Sequence, residues 1–127
     1  LELFALAGLC GTALLGQAPA GGCGDRASCE AAIRVNSQDS LAHFRMGELL
    51  WREGNLQGAA NKFREALSSN QGPEWIVVWA HLNLGKIFDS VDTRARALNE
   101  YRIAQKTGDN TGGAQEQAAR YLAEPFR

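Results

Sequence analysis

The 127 residues predict an all-α fold made of antiparallel helix pairs. Three observations carry that expectation. A block of residues recurs at a fixed offset, the apolar and small residues inside each copy follow a helical period, and a turn signal divides each copy in two. Ala42-His43 returns as Ala80-His81, Met46-Gly47 as Leu84-Gly85, and Leu50 as Phe88, each 38 residues on. The stretch from Ala59 to Ala66 returns at the same offset from Ala97 to Ala104. An offset that is unbroken across two helical segments means that the copies share one structure, with any difference in length lying between them.

Taken in order, the chain opens on an address. Leu1 to Leu15 is apolar apart from Glu2 and Thr12, and Gly16, Gln17 and Ala18-Pro19-Ala20 follow. This resembles a secretory signal over 1–20. The run falls short of the ~20 residues that span a bilayer, and the small residues Ala18 and Ala20 suit a cut before Gly21. The opening Leu1-Glu2 lacks the usual basic stretch, and a core helix is the alternative, weakened by Gly8, Gly11 and Gly16. Losing Glu2 would balance the 13 basic residues against the acidic ones, from a net charge of −1. So small a charge gives nucleic acid no electrostatic hold, and 45% hydrophobic content argues against disorder.

Cys23 and Cys29 enclose Gly-Asp-Arg-Ala-Ser, and in an oxidising compartment they favour a disulfide. That requires their Cα atoms to lie within roughly 7 Å. Two alternatives stay open at this stage: free thiols, or a lipidated Cys23 after Ala20-Gly21-Gly22 that would tether the chain to a membrane. Zinc would want four ligands, and nothing beside the pair supplies the rest at finger spacing. No metal or other cofactor is expected.

A helical domain over 21–127 comes next. A half repeat over 26–37 matches at an offset of 34, with Ala32-Ile33 before Ala66-Leu67. The first full repeat covers 40–70, with the turn signal Glu53-Gly54-Asn55 between its helices; the second covers 76–108, with Asp92-Thr93 in the same place. The four extra residues fall in the Ser69 to Trp75 connection, around Gly72-Pro73. A capping helix over 112–123 completes about six helices. Gly47 and Gly85 recur inside helices at a cost of about 1 kcal/mol each against Ala, which implies close helix approach beside Phe63 and Tyr101.

At these residues the chain resembles the tetratricopeptide repeat family, whose first helix carries Trp-x2-Leu-Gly-x2-Tyr and whose second carries Ala-x3-Phe-x2-Ala. His43, Met46, Gly47 and Leu50, then Ala59, Phe63 and Ala66, follow that spacing, as do His81, Leu84, Gly85, Phe88, Ala97, Tyr101 and Ala104. The resemblance implies a right-handed α-solenoid and a non-enzymatic scaffold for protein–protein interaction. It places Leu41, Phe44, Glu48, Trp51 and Arg52, with Trp79, Leu82, Lys86 and Asp89, toward a concave groove that Glu116 and Arg120 extend. Phe44, Trp51, Arg52 and Trp79 are the preferred contacts, because aromatic and Arg groups dominate binding energy. Phe44 and Glu48 stand where carboxylate-clamping members of the family carry Lys and Asn, which disfavours that subclass.

His43 and His81 replace the family's Trp, so packing is their expected role. The sequence holds no Ser/His/Asp arrangement, no phosphate loop and no His-x3-His pair, and no enzymatic activity is expected. Trp75-Ile76-Val77-Val78-Trp79-Ala80 is apolar on every face and must be covered by something. The preceding helix could cover it. The alternative is a homo-oligomer that uses this segment for structural self-assembly.

Overall fold

The computed structural model describes residues 16–127. Residues 1–15, and with them Cys10 and most of the expected leader, lie outside the described residues. Among the described residues the fold is all-helical, with six α-helices: α1 (Arg26–Val35), α2 (Ser40–Arg52), α3 (Leu56–Ser68), α4 (Trp75–Ser90), α5 (Arg94–Thr107) and α6 (Ala114–Ala123), the last preceded by a 3-10 turn at Thr111–Gly113. There is no named strand among the described residues, only an isolated bridge between Asp39 and Gln71.

Local chemistry sets the helix starts. Asp25 caps α1 by accepting from the Ser28 amide at 2.7 Å, while Ser28 Oγ accepts from the Asp25 amide. That amide bond, with the Ser28 hydroxyl beside it, holds the Asp25 carboxyl below its ordinary 3.8. Asp39 caps α2 through the Ala42 amide and Asn55 caps α3 through the Gly58 amide. The turns inside the two repeats also correspond. Gly54 (φ +83°) and Asp92 (φ +57°) both take the left-handed conformation, and they are 38 positions apart.

Each helix packs chiefly on its chain neighbours, and α2 touches α4 as α4 touches α6. The two helix-interior glycines have the same cause. A Cβ on Gly47 would lie 2.8 Å from the Phe63 ring, and one on Gly85 would lie 2.3 Å from the Tyr101 ring. The aromatic side chain of the second helix therefore rests directly on the backbone of the first.

The inserted connection is stitched to the turn between α1 and α2. Ser40 N donates to the Gln71 carbonyl at 3.0 Å, Gln71 N donates to the Gln38 carbonyl at 3.1 Å, and Asn36 Nδ2 donates to Gln71 Oε1 at 2.7 Å. The apolar run that follows opens α4, the helix with most neighbours. Ile76, Val78, Trp79 and Ala80 are buried in the shared core, Trp75 is half-buried edge-on against Phe44 at 5.4 Å, and Val77 remains 44% exposed. No described helix is long and apolar enough to cross a membrane.

Candidate functional site

The first member of each pair, α2 and α4, and then α6 contribute to one open groove of about 630 Å³. Its polar lining repeats with the sequence. Arg45 of α2, Asn83 of α4 and Gln117 of α6 succeed one another at offsets of 38 and 34, so one position of the repeat supplies a hydrogen-bonding side chain from each helix. Glu48 and Lys86 form a second such pair. A smaller hollow beside it is lined by Glu48, Trp51, Arg52 and Asn83.

Charge in the groove is partly neutralised from within. Arg45 Nη1 meets Glu48 Oε1 at 2.8 Å on one face of α2. Lys86 Nζ sits among three rings, 5.7 Å from the centroid of Trp79 and 5.5 Å from those of Tyr121 and Phe126. Burial among them pushes the ammonium pKa down to about 8. This is a desolvated cation held by aromatic faces instead of a carboxylate.

The residues expected in the groove divide into four groups. Glu48, Arg52 and Lys86 line it and Trp51 lines the smaller hollow, while Trp79, buried in the core, borders it with its indole Nε1–H donating to the Thr111 carbonyl at 2.9 Å. Leu41 lies at the groove's margin, half-buried, below Gly22. Phe44, Leu82 and Asp89 correct the expectation, because all three are buried and none borders the groove or the hollow beside it. Phe44 is sealed between Phe63 and Trp75, the residue that the inserted connection brings in, and Leu82 lies at the centre of α4. The Asp89 carboxylate accepts from Tyr101 Oη at 2.8 Å, from Arg94 Nη1 at 2.9 Å and from the Phe126 amide at 2.9 Å. It is a structural clamp. Burial and that same bond drive the Tyr101 phenol well above its usual pKa. Glu116 and Arg120 are exposed, and Arg120 lines a separate hollow with Tyr121 and Glu124, away from the groove.

The histidines pack. His43 is buried, with Nε2 2.9 Å from the Ser37 carbonyl oxygen and Nδ1 3.4 Å from Glu65 Oε2; His81 Nδ1 lies 3.2 Å from Glu100 Oε1. Among the described residues, no group of three His, Cys, Asp or Glu side chains is placed to hold a metal ion. Cys23 and Cys29 form a disulfide, with Cα atoms 5.1 Å apart.

Two segments that side-chain patterning did not single out complete the site. The N-terminal strap, residues 16–24, runs through the groove itself. Arg45 donates to the carbonyls of Pro19 and of Gly21 (2.7 Å for the latter), Gln117 Nε2 donates to the Gly16 carbonyl at 2.9 Å, and Gln17 N donates to the Gly112 carbonyl at 3.0 Å. The cut expected before Gly21 thus falls inside a seated segment. At the other end of the chain, Phe126 stacks edge-on against Trp51 at 6.0 Å and Tyr121 at 5.4 Å. No known family profile matches the chain, and neither does any curated protein or any solved structure.

Proposed function

We propose that this chain is a tetratricopeptide-like array, a right-handed solenoid of helix pairs, that binds an extended segment of a protein partner in its groove and performs no chemistry of its own. One observation carries the reading. The groove is lined at a single repeat position by Arg45, Asn83 and Gln117 from successive first helices. A ladder of donors at helix-to-helix spacing suits the repeating carbonyls of an extended peptide. The disulfide supports work in an oxidising compartment, outside the cytosol, as the signal-like opening of the sequence does. Self-assembly through Trp75–Ala80 has less behind it, since the chain itself covers most of that run.

Peptide display on the full chain tests the proposal. Selected peptides should lose at least about tenfold in affinity, ~1.4 kcal/mol, on Trp51→Ala or Asn83→Ala in protein of unchanged helicity. Peptides that bind both variants as they bind the parent would end the groove reading, and a mass that doubles with concentration until Val77→Asp prevents it would replace that reading with self-assembly.

A further inference from the structure

We propose that residues 16–22 are a ligand bound in cis, and that the partner accepted by the groove is an uncharged, extended, small-residue segment recognised through its main-chain carbonyls. The inference rests on the groove being the binding surface and adds what occupies it. The four hydrogen bonds that fasten the strap, from Arg45 to the Pro19 and Gly21 carbonyls, from Gln117 to the Gly16 carbonyl, and from Gln17 N to the Gly112 carbonyl, all engage its main chain. A groove that holds its occupant by carbonyls is indifferent to most side chains, provided that they are small.

The sequence of the strap meets that condition. Gly-Gln-Ala-Pro-Ala-Gly-Gly has no charge and nothing larger than Gln, whose side chain faces solvent, and Ala18 packs on the core. Pro19 fixes its own φ and keeps Ala18 extended, which lowers the entropy lost on seating. The fit is close at one end. A Cβ on Gly16 would come 2.4 Å from the Gly112 carbonyl oxygen, and one on Gly112 would come 2.0 Å from the Gln17 carbonyl oxygen. Two backbones meet there with no room for a side chain on either.

Reach agrees with the direction of the strap. From Gly16 at Gln117 to Gly21 at Arg45, the strap crosses from α6 over α4 to α2. Five extended residues cover ~17 Å, and two interhelical steps of ~8–10 Å cover the same distance. The strap is leashed at Cys23 to Cys29 of α1, so it competes at an effective concentration on the order of millimolar. A cut before Gly21 would remove Gly16, Gln17 and Pro19 and leave one carbonyl of the three, which opens the groove to a segment of the same chemistry supplied in trans.

The probe is a labelled, end-blocked heptapeptide with the sequence of residues 16–22, titrated by fluorescence anisotropy against the full oxidised chain and against its Gly16→Val/Gly22→Val variant, in which the strap cannot seat. The variant should bind at least about tenfold more tightly than the parent, and adding Arg45→Ala should abolish the gain. Equal binding by parent and variant, or none by a variant whose circular dichroism is that of the parent, would overturn the proposal. Should the variant lose helicity, amide exchange in the unaltered chain decides, because the Gln17 amide must exchange at least about tenfold slower than free peptide, and random-coil exchange there would refute a seated strap. Display-selected peptides separate the two readings. If they bind parent and variant alike yet respond to Asn83→Ala, the groove stands and the strap falls; if they ignore Asn83→Ala, the groove falls with it.

Discussion

At the scale of single residues, the paired glycines set two effects against each other. Replacing Gly85 with Ala gains helix propensity of ~1 kcal/mol, yet the new methyl would sit 2.3 Å from a Tyr101 ring that has no freedom to retreat, since its hydroxyl is bonded to Asp89. Overpacking wins. Gly85→Ala should destabilise by about 1–3 kcal/mol in urea unfolding, and Gly47→Ala, where the ring of Phe63 carries no such anchor and the contact is 2.8 Å, should cost less. Asp92 is the opposite case. It holds a left-handed conformation where the other repeat has Gly54, so Asp92→Gly should stabilise by about 0.5–1 kcal/mol, seen as a higher urea midpoint with an unchanged slope.

Whole elements were legible where side chains repeat. The 38-residue offset and the helical period delimit α2 to α5 because most of their buried positions are filled by side chains that are apolar or small, and the same needs recur in each copy. Groove-facing positions were less legible. Phe44 and Asp89 lie on first helices as expected, but Trp75 and the Phe126 tail cover them, and repeat spacing carries no information about segments outside the repeat. The strap was invisible for a different reason, since its anchors are carbonyls and its side chains have no period. Its leash can be tested at the level of α1. Cys23→Ser/Cys29→Ala removes a bridge whose short loop constrains the unfolded chain by about 2–3 kcal/mol, and the urea midpoint should fall accordingly while α2 to α6 keep their ellipticity. Unchanged stability would mean that α1 contributes little to the cooperative unit.

Across the described molecule, the C-terminal tail closes on α4. The Asp89 clamp binds α5 through Arg94 and Tyr101 and the tail through the Phe126 amide, while Arg94 Nη2 donates onward to the Tyr121 carbonyl at 2.7 Å, so α4, α5 and α6 close as one unit. Lys86 lies under the aromatic roof that this closure builds, and it makes stability depend on pH. Its ammonium titrates near 8 in the folded chain and near 10.5 when unfolded. Between these values the unfolded chain binds a proton that the folded chain does not, so stability rises as pH climbs from 8 and is lowest, for this group, below 8. Tyr101 acts in the other direction from pH 10 upward, because its phenol resists ionisation in the fold and stability falls once the unfolded phenol ionises. The melting temperature should therefore climb between pH 8 and 10 and turn down beyond. Lys86→Met keeps the contact with the rings and removes the buried charge, so it should raise stability at pH 7 by about 1–2 kcal/mol and flatten the climb while leaving the downturn above pH 10. A variant less stable than its parent at pH 7, with the climb intact, would show that the three rings sustain the ammonium well enough to offset its desolvation.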